Sequence, residues 1–111
     1  MNIQQLNETA LALVAPKKGI LAADESSGTI KKRFDSINVD STEENRRNYR
    51  EMLFRAEGAK KYISGVILYD ETIRQKGIDG NPLVDILHNQ DIIPGIKVDM
   101  GGKDLANSPE E

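Results

Sequence analysis

The 111-residue sequence contains no cysteine and one histidine. It can form no disulfide framework, thiolate nucleophile or thiolate metal site, and the missing thiols agree with a reducing compartment. Nor can it assemble a histidine cluster around a metal. There is no excess of cations, since 15 Lys and Arg face 18 Asp and Glu for a formal charge of -3, and the cations are clustered locally rather than spread over a face. That excludes the footprint of a nucleic-acid binder. No apolar run approaches the roughly 20 residues of a membrane span, and Met1-Asn2-Ile3-Gln4-Gln5 lacks the basic and apolar regions of a secretory leader. The expected setting is therefore the cytoplasm, with no membrane and no nucleic-acid partner. Internal repeats, a phosphate-loop pattern and a dinucleotide fingerprint are also missing.

What the chain does contain is concentrated in one stretch, Gly19-Ile20-Leu21-Ala22-Ala23-Asp24-Glu25-Ser26-Ser27-Gly28-Thr29-Ile30-Lys31-Lys32-Arg33. Short and apolar, Ile20 to Ala23 reads as a buried strand entered through Pro16 and Gly19. Asp24 then sits at its C-terminal end, where parallel barrels carry their chemistry. Beyond it, small hydroxyl residues and three consecutive cations suit a phosphorylated substrate. The same letters also fit a turn or cap aspartate, an ordinary loop and a solvated basic helix face.

Along the rest of the chain, helical spacing of Ile3, Leu6, Ala10, Leu13 and Val14 predicts a packing helix over 3–14, ending before Pro16. A short helical turn is expected from Thr29 to Phe34. Ser41 with Glu44 reads as a capping box for a helix over about 42–57, whose apolar stripe is Tyr49, Met52, Leu53 and Ala56. Arg46, Arg47 and Arg50, interspersed with acids, read as its solvated face. Ile63 to Tyr69 is a second buried parallel strand, followed by Asp70 and Glu71 as helix-capping acids or acid/base groups. Pro82 can open a further helix that carries His88 late, as a surface or dipole partner. The third strand, Ile92 to Val98, encloses Lys97, an unusual residue for a buried run. Asp99 is expected to face away from Lys97, and Met100 to Glu111 reads as loop.

Four blocks in order, the 19–33 stretch, Ser41-Thr42-Glu43-Glu44-Asn45-Arg46-Arg47, Gly65-Val66-Ile67-Leu68-Tyr69-Asp70-Glu71-Thr72 and Gly95-Ile96-Lys97-Val98-Asp99, resemble class I fructose-bisphosphate aldolases. The resemblance covers nearly the whole chain and only the N-terminal part of such an enzyme. It implies an α/β fold, the first three or so strands of an incomplete (β/α)8 TIM barrel, with residues 1–111 as the opening portion of a single domain. The implied activity is metal-independent Schiff-base cleavage of fructose 1,6-bisphosphate, with no cofactor and a homotetramer at full length. Asp24 would handle protons and hold substrate hydroxyls, and Lys97 would contact substrate and support neighbouring charges. Ser26, Thr29, Lys32 and Arg33 would bind the sugar bisphosphate, with Arg33 the strongest phosphate ligand through its bidentate guanidinium.

Burial could lower the Lys97 pKa and make it the imine-forming amine, but the resemblance puts that lysine beyond Glu111. Lys17 stands where such proteins usually carry glycine, and Met100 where lysine is common. A class II aldolase is disfavoured because it needs metal-ligating histidines. The alternative to an enzyme fragment is a truncated, non-catalytic remnant that binds phosphate ligands or an intact aldolase subunit.

Overall fold

The computed structural model describes residues 2–107. In chain order the elements are α1 (Ile3–Leu13), β1 (Gly19–Ala23), α2 (Ser27–Asp35), α3 (Glu43–Phe54), α4 (Ala59–Tyr62), β2 (Ile63–Leu68), α5 (Asp70–Ile73), α6 (Leu83–His88) and β3 (Ile93–Ile96). The strands form one parallel sheet in the order β1-β2-β3, as expected of successive βα units. Ala23 pairs with Leu68 and Leu68 with Ile96, so all three strands finish at the same level.

One face of the sheet is covered. Ala23, Val66 and Leu68 pack with Phe54 of α3 and with Leu83, Ile86 and Leu87 of α6. Burying side chains of this size contributes about 1.5–3 kcal/mol each. The other face and both outer edges are open: Ile20 is 50% exposed and Ile96 45%. β1 and β3 are thus edge strands here rather than the buried strands expected from their composition, because only β2 has a neighbour on each side. The radius of gyration, 16.1 Å, exceeds the roughly 13 Å of a compact chain of about 100 residues. This is an open sheet, the beginning of a barrel wall without its closure.

Several boundaries and faces differ from the sequence expectations. None of the α1 residues is buried, so most of its apolar stripe lies open. Its C-terminal end nonetheless rests on β2, where Ser64 Oγ donates to Leu13 O at 2.6 Å. Gly65 permits that approach, since a Cβ there would meet Leu13 Cδ2 at 2.5 Å. The expected turn at Thr29–Phe34 is a nine-residue helix, α2.

α3 is capped by Thr42, whose side chain accepts from Asn45 N, rather than by Ser41. Ser41 is held instead by Arg46 Nη1 through its carbonyl. The buried residues of α3 are Arg50, Glu51 and Phe54, a face rotated from the expected stripe, whose member Met52 is exposed. Phe54, the largest apolar side chain of the helix, selects the face at its own i−4 and i−3 neighbours. β3 stops at Ile96, although Lys97 N still donates to Leu68 O at 2.9 Å. The final stretch expected to be loop lies outside the described residues from position 108 onward.

The turn into β1 explains the unusual residue at position 17. Lys18 N donates to Ala15 O at 3.2 Å, Pro16 takes the second corner, and Lys17 has φ 63°. This is the pattern of a type II turn, whose third position favours glycine. A lysine in the left-handed region costs about 1–2 kcal/mol, partly offset because glycine loses more entropy on folding. Lys17→Gly should therefore raise the thermal midpoint, by up to about 1 kcal/mol of stability. Loss of stability in that variant would show that the turn is of another type.

Candidate active site

The common level at which the strands end makes a cleft of about 810 Å³. Its walls include Asp24, Glu25 and Ser26 after β1, Thr29 and Arg33 of the following helix, Tyr69 and Asp70 after β2, and Lys97 and Asp99 after β3. Five of the six residues singled out from the sequence therefore share one cavity. Lys32 does not: it is exposed in the last turn of α2 and does not line the cleft.

At the centre, the Lys97 ammonium lies 3.4 Å from Asp24 Oδ2 and 2.9 Å from Asp99 Oδ2. Lys97 and Asp24 side chains are about three-quarters buried, whereas Asp99 is more open. Contrary to expectation, Asp99 turns toward Lys97, since residues two apart share a face of extended chain. The hydrogen bond from Lys97 to Asp99, with a further contribution from Asp24, outweighs desolvation and holds the lysine above its usual pKa. Asp99 is held below its ordinary range chiefly by the same bond. Lys97 is thus a cation at neutral pH, and the possibility of a free amine lowered by burial is overturned. It can position and neutralise an oxyanion or carry a proton, but as an ammonium it cannot attack a carbonyl.

At the other end, Ser26 Oγ and Thr29 Oγ1 are 3.2 Å apart at the opening of α2. Ser26 is the N-cap residue, yet its side chain makes no capping bond, leaving its hydroxyl available. Arg33, also on α2, donates from Nη1 to Glu25 Oε2 at 2.7 Å. Hydroxyls, a helix start and a guanidinium together offer neutral and charged donors to an anion.

Behind this wall lies a charge cluster not anticipated from the sequence. Arg50, expected on a solvated face, has no exposure. Its Nη2 donates to the main-chain oxygen of Glu25 at 2.6 Å, and its guanidinium lies 5.8 Å from the centre of the Tyr69 ring. Glu25 Oε1 and Glu71 Oε1 approach it at 3.9 and 4.0 Å. Desolvation pushes the Arg50 pKa down against these carboxylates, but a guanidinium remains charged in proteins.

Glu71 also accepts a two-pronged pair from Arg46 at 2.8 and 2.9 Å. Those bonds, with the charges of Arg46 and Arg50, outweigh desolvation and keep Glu71 ionised below its usual range. Glu71 is therefore structural, and Asp70 is the acid that reaches the cleft. The signal available in the sequence was the spacing Arg46, Arg50, Phe54: cations at i−8 and i−4 from a core phenylalanine, opposite acids at two strand ends. Elsewhere, a smaller hollow of about 300 Å³ is lined by Arg55 and Asp79, already paired at 2.6 Å.

No helix among the described residues is long and apolar enough to cross a membrane. A family model described as fructose-bisphosphate aldolase class-I matches residues 5–111. A probable fructose-bisphosphate aldolase class 1 of Xanthomonas campestris pv. campestris is 56% identical over 111 residues, covering 100% of this chain and 33% of the relative. Fructose-bisphosphate aldolase 1 of Toxoplasma gondii is 56% identical over 108 residues, which are 97% of this chain and 30% of that protein. Among solved structures, the fructose-bisphosphate aldolase of Plasmodium falciparum, in complex with TRAP and a small-molecule inhibitor, superposes with a TM-score of 0.89 at 55% identity. The match covers 92% of this chain and 29% of that one. The chain spans about a third of the length of the curated relatives it matches.

The Lys97 geometry makes a pH-dependent expectation. Its ion pairs are complete below the ordinary lysine value, about 10.4, and are lost as pH rises through the raised value in the fold. Amine-directed acylation at pH 9 should therefore label Lys97 several-fold more slowly than exposed Lys60, read by peptide mass spectrometry. Asp99→Asn should narrow that difference; equal rates in the unsubstituted protein would contradict the pairing.

Proposed function

The chain belongs to the class I fructose-bisphosphate aldolase family, and from that premise we propose that the protein carrying it reversibly cleaves fructose 1,6-bisphosphate to dihydroxyacetone phosphate and glyceraldehyde 3-phosphate. Residues 1–111 are the opening portion of one TIM-barrel domain. The observation that carries this reading is the convergence of Asp24, Lys97 and Arg33 on one cleft at the strand ends.

In the proposed mechanism a lysine amine from beyond residue 111 attacks the ketose carbonyl and expels water as an imine forms. Removal of the C4 hydroxyl proton then breaks the C3–C4 bond, and its electron pair moves into the protonated imine to give an enamine. The aldehyde leaves, C3 is reprotonated and water releases the ketone. Asp24 holds substrate hydroxyls and takes part in proton handling. Lys97 neutralises charge beside it. Ser26, Thr29 and Arg33 bind one phosphate, with Lys32 contributing from outside the cleft wall. The reaction requires no metal or other cofactor, belongs to glycolysis and gluconeogenesis in the cytoplasm, and is carried out by a homotetramer.

Borohydride reduction in the presence of fructose 1,6-bisphosphate tests the assignment on the full natural product. The expected outcome is a covalent adduct on a lysine outside residues 1–111, with turnover unaffected by chelator. Asp24→Asn should lower kcat by at least about 100-fold, the usual scale of a lost acid/base group. An adduct on Lys97, or no adduct with full turnover, would refute this division of roles.

A further inference from the structure

Arg33 is poorly placed to stay ordered by itself. Its side chain is 60% exposed, and a free arginine must surrender its rotamers whenever it binds a ligand. In the structure it is not free, because Glu25 Oε2 accepts from its Nη1 at 2.7 Å and the Glu25 side chain is only 6% exposed. Glu25 is fixed in turn. Its main-chain oxygen accepts from fully buried Arg50, whose Nη2 also stands 3.9 Å from Glu25 Oε1. That second carboxylate oxygen has no hydrogen-bond partner.

The charges explain why an acid can stand beside an anion site. Arg33 and Glu25 alone would cancel, leaving little attraction for a phosphate. With Arg50 behind them the three carry +1, and only one of the five guanidinium N–H groups of Arg33 is taken by Glu25. Resting on the reading of this cleft as a sugar-phosphate site, we propose that Glu25 is a positioning residue that holds Arg33 ready for the phosphate, with Arg50 as its buried counter-charge. The consequence opposes simple electrostatics: deleting a carboxylate beside an anion site should weaken binding instead of tightening it.

Phenylglyoxal, an arginine-selective reagent, gives a site-specific measure in the full natural product. Sulfate is the anion probe, because its charge is constant across neutral pH, and peptide mass spectrometry reads the modification rate of each arginine. In the unsubstituted protein sulfate should protect Arg33. In Glu25→Met the protecting concentration should rise about three- to tenfold, the scale of ordering one flexible side chain. Glu25→Gln keeps an acceptor oxygen for Arg33 and should bind no more weakly than the unsubstituted protein.

Arg50 reports folding, since a buried guanidinium stays unmodified. If Glu25→Met exposes Arg50, Glu25→Gln decides: an unchanged or lower protecting concentration supports the tether, and one raised more than threefold overturns it. Equal or tighter binding by folded Glu25→Met overturns the tether while leaving the phosphate site intact. Failure of sulfate to protect Arg33 in the unsubstituted protein removes the phosphate site itself, and the tether with it.

Discussion

Parallel register is the constraint on which the site depends. Because Ala23, Leu68 and Ile96 share one level, the next residue of each strand, Asp24, Tyr69 or Lys97, emerges beside the others although the first and last are 73 positions apart. The hydrogen bond from Lys97 N to Leu68 O carries the ladder one step past β3 and fixes where the ammonium starts. A slip of one residue would turn Lys97 to the opposite face and replace it with an apolar neighbour. The core formed by Phe54, Leu83 and Leu87 under the sheet contributes to function through this register.

The charges impose a second requirement. Taking Arg50 out of water is expensive, and a buried ion pair is seldom a net source of stability. Its location suggests a different use, since it lies where the wall after β1 and the segment after β2 meet. Through Glu25 O it joins the segment that carries Asp24, and through Glu71 it lies near the segment that carries Asp70. The result is a polar wall held by hydrogen bonds and charge, beside a cleft that in the proposed reaction must accept a highly anionic ligand.

Elements with strong local signals were legible in the sequence. Three short apolar runs, the helix that stops before Pro16 and the helix opened by Pro82 are all present, with ends shifted by a few residues. The blocks around Asp24 and Lys97 marked two groups that the structure brings within 3.4 Å. Long-range partners were not legible. Arg50 and Glu51 resemble surface residues until Phe54 fixes the helix face and Glu25 and Glu71 arrive from elsewhere in the chain. Asp99 differs from its expected orientation for a simpler reason, since a period of two puts it on the side of Lys97. Exposed β1 and β3 illustrate another limit: an apolar run indicates that a strand is fit for burial, but neighbouring strands decide whether it is buried.

In the proposed reaction Asp24 and Lys97 act as one unit at the strand ends. A double-mutant cycle on kcat/KM for fructose 1,6-bisphosphate, with Asp24→Asn and Lys97→Met in the full natural product, tests it most directly. If the two act together, the double variant should lose little more than the worse single variant. Losses that simply multiply would contradict the account and make their contact in the cleft incidental to the chemistry.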